Sequence, residues 1–166
     1  KCITFGKIDV KAKIKETQGA WPAIWTNTNN WPTGGEIDIM ESINHDNAIY
    51  QTVHSEYTLI HGMTTNPNHI TINSVYDKSE FNVYSVIIDE NEIIFSINNI
   101  VTLIYPKINT TIEGQYPFGD KKYLLLTMQL FHETWTGPVN NSELPAEIHI
   151  DWVRFYDKID INRPNY

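Results

Sequence analysis

The chain is 166 residues long, carries a formal net charge of −8, and is 41% hydrophobic and 19% charged. That length and balance describe one folded domain over residues 1–166, large enough to bury its own core and too short for a second module. An excess of acids excludes nucleic acid and anionic bilayers as partners, because both reward clustered Lys and Arg. Cys2 is the single cysteine, so neither an internal disulfide nor a cysteine-rich metal site can form, and no apolar run is long enough for a membrane-spanning helix.

Short runs of period two, rich in β-branched and aromatic residues, predict strands at about 5–15, 20–26, 35–41, 49–57, 81–89, 92–98, 100–105, 123–130 and 147–157. In the first of these Lys7, Lys11, Lys13 and Lys15 alternate with Ile8, Val10, Ala12 and Ile14, the pattern of a strand with one wet and one buried face. Glu90-Asn91 and Asn98-Asn99 read as hairpin turns. The polar stretch from His61 to Asn73 reads as a long loop, suited to a cleft wall. No segment has the pattern of a long amphipathic helix, so the fold class is all-β, an antiparallel sandwich or barrel. His45, His61, His69, His132 and His149 show no metal-ligand spacing.

The densest information lies in Trp31-Pro32-Thr33-Gly34-Gly35-Glu36-Ile37-Asp38-Ile39-Met40-Glu41. On a regular strand Glu36 and Asp38 share a face and Ile37 and Ile39 take the other, which puts Glu41 among the isoleucines. An unpaired carboxylate there would cost several kcal/mol. One extra residue near Met40, a β-bulge, returns Glu41 to the face of Glu36 and Asp38, and such bulges re-aim side chains beside active sites. Three acids on one face, preceded by Trp21, Trp25 and Trp31, suit a sugar-binding cleft in which indole faces stack on pyranose rings.

Glu36-Ile37-Asp38-Ile39-Met40-Glu41 resembles the signature of glycoside hydrolase family 16, in the bulged form of its laminarinase-like and mixed-linkage β-glucanase members. Residues 5–15 with Gly19-Ala20-Trp21-Pro22-Ala23-Ile24-Trp25 are similar to the strand pair leading into that motif, and Gln51-Thr52-Val53-His54 to the strand after it. Leu126-Thr127-Met128-Gln129-Leu130 with Trp135-Thr136-Gly137 resembles the strand and loop across the cleft, and residues 144–156 the closing strand.

The resemblance implies a concanavalin-like jelly roll with a concave substrate groove. It also implies a retaining endo-β-glucanase acting on β-1,3 or mixed β-1,3/1,4 glucan by double displacement. On this pattern Glu36 is the nucleophile, Glu41 the acid/base and Asp38 the acid between them. His54 sits near the acid/base, and Trp21, Trp25, Trp31, Gln129, His132 and Trp135 contact substrate. Trp152 reads as core. No cofactor is required, although some members hold a structural calcium on the closing strand, here at Asp151. A polysaccharide substrate implies a secreted or cell-surface enzyme. An inactive sugar-binding fragment, or action on agar or porphyran, are the alternatives.

Two departures from the family pattern carry expectations of their own. The chain opens almost directly in a strand, so the sequence predicts missing N-terminal strands and inner-face residues such as Ile8, Val10 and Ile14 short of partners. Self-association or a complementing upstream segment would then be needed. In the loop after Leu130, Phe131-His132-Glu133-Thr134 stands where laminarinase-like members carry two glycines, which predicts a reshaped subsite.

Overall fold

The computed structural model describes residues 1–158 and forms two antiparallel sheets packed face to face. One has six strands in the order β1 (Cys2–Ile3), β10 (Lys122–Leu130), β3 (Ala20–Asn27), β4 (Glu36–Glu41), β5 (Ile49–His54) and β6 (Ile70–Asn73). The other has five, in the order β11 (Glu147–Asp157), β2 (Gly6–Lys15), β7 (Asn82–Ile88), β8 (Glu92–Ile97) and β9 (Ile100–Pro106). Each predicted strand is present. The all-β class follows from the alternation that made them legible: Ile8, Val10, Ala12 and Ile14 are buried while Lys7, Lys11 and Lys13 stay half-exposed on the opposite face.

The core between the sheets is dominated by isoleucine, with Ile24, Ile37, Ile39 and Ile49 from one sheet meeting Ile8, Ile88, Ile93 and Ile97 from the other. Stiff β-branched side chains suit a pleated surface and lose little freedom when buried there. Asn98 and Asn99 both take positive φ, 51° and 65°, in a two-residue turn closing the β8–β9 hairpin, the backbone twist such hairpins require.

Four expectations change. The strand predicted over 49–57 stops at His54, where Ser55 caps the short helix α1 (Glu56–Leu59). The stretch 61–73 is not all loop: Ile70–Asn73 pairs with β5 as an edge strand. Ile8, Val10 and Ile14 are not short of partners, being 0%, 0% and 2% exposed. Trp152 is not core. A bulge at Asp151 shifts the register of β11, so that Ile148 and Ile150 before it and Val153 and Phe155 after it point inward. Trp152 falls on the outer face, stacked 4.1 Å from the Arg154 guanidinium.

Candidate active site

The acids stand on β4, an inner strand of the six-stranded sheet, hydrogen-bonded to β3 and β5 on either side. The turn before β4 explains its two glycines. A side chain at Gly34 would meet Thr28 Oγ1 at 2.1 Å, and Gly35, at φ +78°, lies with its Cα hydrogens against the Phe118 ring, where a Cβ would meet Cε1 at 2.4 Å. Only glycine allows that approach in that conformation. Phe118 is in turn fixed by the buried Lys122, whose Nζ donates to the carbonyls of Phe118 and Asp120 at 2.7 and 2.8 Å.

Along β4 the predicted bulge is present. Asp38 pairs with Trp25 on β3 and Met40 with Ile24, two residues against one, and on the other side Asp38 pairs with Thr52 while Glu41 pairs with Tyr50, three steps against two. The extra residue buries Ile39 and Met40 together and leaves Glu36, Asp38 and Glu41 lining one cleft.

Every carboxyl in this trio is held above its ordinary range. Asp38, 3% exposed, is pushed from 3.8 to about 7 by burial. Burial and the Asp38 charge lift Glu36 from 4.5 to about 7, with His54 and Trp31 pulling the other way. Glu41 rises to about 8 for the same two causes, opposed by a hydrogen bond from Trp21 Nε1 to its Oε1 at 2.9 Å. Three acids this close in a dry site do not ionise together, so their titrations are linked. His54 lies cross-strand from Glu36, with Nε2 3.2 Å from Asp38 Oδ2 at ion-pair distance but outside hydrogen-bond alignment, and burial lowers its pKa. The sequence placed it near Glu41; the structure sets it against Asp38, with Glu41 lining the same half of the cleft.

The cleft has two halves that meet at the acids. On the β3 and β10 side its walls are Trp21, Ala23, Trp25, Thr127 and Gln129, and Trp25 Nε1 donates to Thr127 Oγ1 at 3.1 Å. On the β5 and β6 side the walls are Ile43, Asp46, Tyr50, Thr52, His54, His69 and Ile70, with Trp135 reaching in from the loop after β10. Among the described residues no Lys or Arg lines either half.

Most predicted contact residues converge here. Trp21, Trp25 and Gln129 line the first half, His54 and Trp135 the second. His132 touches both Trp21 and Trp135, with ring centroids 5.7 and 5.3 Å away. Trp31 lines neither wall, standing in the turn before β4 at 55% exposure, but it is close enough to Glu36 to favour that carboxyl's ionised form. Sequence reasoning missed Asn27, which approaches Glu36 Oε2 at 3.5 Å, and Thr127, Tyr50 and Thr52, while His69 comes from the stretch it read as a cleft wall. The signal existed for Asn27, two positions beyond Trp25 on the same strand face, and for Thr127, two before Gln129.

Metal binding divides the same residues. Among the described residues, Glu36, Asp38 and His54 form one group whose ligand atoms lie within 4.8 Å of one another. Asp151 is different. It is the extra residue of the β11 bulge and is paired with Lys11 at 2.8 Å. Calcium wants six to eight oxygens, and among the described residues Asp151 belongs to no cluster of metal-ligating side chains.

An open two-sheet sandwich carrying a bulged acidic strand in an indole-walled cleft suits a protein that engages sugar chains, and comparison with known proteins identifies the family. A family model described as "XgeA-like, catalytic GH16 domain" matches residues 8–91. The chain belongs to glycoside hydrolase family 16, and its sandwich is that family's jelly roll. It is similar to the keratan-sulfate endo-1,4-beta-galactosidase of Sphingobacterium multivorum, 34% identical over 163 residues that make up 93% of this chain and 37% of that protein. The beta-glucanase of Rhodothermus marinus is 26% identical over 168 residues, 92% of this chain and 57% of its own length. A solved structure of the endo-acting O-glycanases that prominent members of the human gut microbiota express to initiate mucin breakdown superposes with a TM-score of 0.77 at 31% identity, covering 93% of this chain and 71% of the other. The chain thus spans about a third to a little over half the length of the curated relatives named.

Proposed function

We propose that the protein is a retaining endo-β-glycosidase that cuts within an uncharged β-linked polysaccharide. The observation that carries this is the trio on β4: three carboxyls brought to one face by a bulge, all held above their ordinary range, in a cleft that continues on either side of Glu41. In the first step the Glu36 carboxylate attacks the anomeric carbon while Glu41 gives its proton to the departing glycosidic oxygen, leaving a glycosyl ester on Glu36. In the second, ionised Glu41 takes a proton from water, whose oxygen attacks the same carbon and frees Glu36 with net retention. Asp38 stands between the two glutamates, and its charge raises the pKa of both, which keeps a proton on Glu41 for the first step.

For the substrate, two readings rest on different observations. The acidic motif resembles that of laminarinases and mixed-linkage glucanases, which favours β-1,3 or β-1,3/1,4 glucan. The loop Phe131-His132-Glu133-Thr134 departs from the glucanase pattern, and the higher identity to a keratan-sulfate galactosidase than to the named glucanase favours a β-1,4-galactoside. We rank the galactoside first. Among the described residues the cleft has no Lys or Arg to pair with sulfate, which favours unsulfated stretches and disfavours porphyran. Such a substrate lies outside the cell, so we propose export, with no cofactor. Incubating the protein with desulfated keratan, laminarin, barley β-glucan and agarose and measuring reducing ends tests both readings. Release from keratan alone supports the first, release from the glucans the second, and no release from any would leave a sugar-binding role.

A further inference from the structure

The hydrogen bond from Trp21 to Glu41 has a consequence for catalysis that a stacking role would not give. We propose that Trp21 is a positioning residue: its indole N–H fixes which oxygen of Glu41 carries the proton and so aims the acid at the glycosidic bond. This rests on Glu41 being the acid/base, as argued above.

An indole nitrogen donates and cannot accept. With Nε1 2.9 Å from Oε1, that oxygen must be the acceptor, and when Glu41 is neutral its proton must sit on Oε2. The bond also removes the rotational freedom by which the carboxyl would exchange its two oxygens. Trp21 itself is held on both sides. Its ring lies 4.5 Å from Trp135 and 5.7 Å from His132, centroid to centroid, and its backbone pairs with Gln129 of β10. His132 Nδ1 accepts from the backbone N–H groups of Thr134 and Trp135 at 3.3 Å, which folds the loop that presents Trp135. The loop that departs from the family pattern therefore braces the acid through one intermediate ring.

Trp21→Phe keeps a flat ring in the cluster and deletes the donor. The other titratable groups around Glu41 stay in place: Glu36 and Asp38 on β4, His54 and Tyr50 on β5, Asp46 in the turn between those strands, His69 before β6, and His132. A general acid contributes about 10²- to 10⁴-fold, so losing its aim should lower kcat on the cleaved polysaccharide, keratan or laminarin, by roughly 10- to 100-fold. On a 2,4-dinitrophenyl glycoside of the matching disaccharide kcat/KM reports a first step that needs no acid, so it should fall several-fold less than kcat/KM on the polysaccharide. The basic limb of the pH profile should move to higher pH, because the deleted bond favours ionised Glu41. Equal losses on both substrates, or an unmoved basic limb, would overturn the proposal. Glu41→Gln separates the two readings: if it spares the polysaccharide reaction, the acid assignment fails; if it abolishes that reaction while Trp21→Phe changes nothing, only the positioning role fails. Should Trp21→Phe not fold, the ¹⁵N-indole resonance of Trp21 in the unaltered protein gives the answer. It should titrate with Glu41 and stop titrating in Glu41→Gln, and an indole resonance indifferent to both would sink the idea.

Discussion

Asp38→Asn should make the fold more stable at alkaline pH and leave it unchanged at acid pH. Asp38 is 3% exposed, and burial lifts its pKa from 3.8 to about 7. A group whose folded pKa is raised adds stability that is complete below its unfolded value and is lost as pH climbs through the folded value. The unaltered protein therefore loses stability between about pH 4 and pH 8 as a dry carboxyl is forced to ionise, whereas asparagine carries no such term. A rise from 3.8 to about 7 corresponds to roughly 4 kcal/mol at about 1.4 kcal/mol per pH unit. Because the three acids titrate together and relax when one is replaced, about 2 kcal/mol is expected from removing one member of the trio. In a domain of this size, about 2 kcal/mol moves Tm by roughly 4–8 °C. Differential scanning fluorimetry of both proteins at pH 4.5, 6.5 and 8.5 reads the difference. A gain that grows with pH supports the reasoning; a constant offset, or an asparagine variant less stable at pH 8.5, refutes it.

The pH dependence of kcat/KM should be bell-shaped, rising as Glu36 loses its proton near 7 and falling as Glu41 loses its own near 8. A profile flat from pH 5 to 9 would contradict these assignments. Glu36→Gln and Glu41→Gln should each lower turnover by several orders of magnitude with an unchanged circular dichroism spectrum. Azide added to Glu36→Ala should yield a glycosyl azide of inverted configuration, detectable by NMR; a retained product would place the nucleophile elsewhere. Gly35→Ala drives a Cβ to 2.4 Å from the Phe118 ring at φ +78° and should cost roughly 2–4 kcal/mol in urea unfolding, with activity reduced because Glu36 is the next residue.

Much of this architecture was legible because parity arguments have few solutions. Glu41 could not face Ile37 and Ile39 without stranding a carboxylate in the core, so a bulge was forced, and the register shift falls between Asp38 and Glu41. The same argument failed on β11. The extra residue there, Asp151, is exposed and paired with Lys11, so its strand reads acceptably in either phase, and Trp152 was assigned to the wrong face. β6 was hidden for another reason. Four residues, Ile70–Asn73, follow a polar stretch containing Asn66-Pro67-Asn68, and an edge strand needs apolar residues on one face only. The stretch was legible as a cleft wall, but without β6 nothing in it singled out His69, whose ring lies 6.4 Å from that of His54.

The loop after β10 offers a separate test, because the physical demand that two glycines would meet is still visible in its backbone. Phe131 has φ 65°, a left-handed conformation that costs an L-residue roughly 1–2 kcal/mol. The conformation persists because Phe131 N donates to the Gly19 carbonyl at 2.8 Å, and His132 N to Thr136 Oγ1 at 2.7 Å. The side chain returns little, being 55% exposed. Phe131→Gly removes the conformational cost and adds back roughly 0.5–1 kcal/mol of unfolded-chain entropy, so the fold should change by less than about 1 kcal/mol, in the stabilising direction. Phe131→Val puts a β-branched side chain into the same conformation and should destabilise by more than the phenylalanine does, by about 1 kcal/mol or above. Urea unfolding of the three proteins gives the order directly. If glycine were the least stable and valine equal to phenylalanine, the phenyl ring would be holding the loop through contacts, and the loop's shape would owe nothing to the conformation that glycine favours.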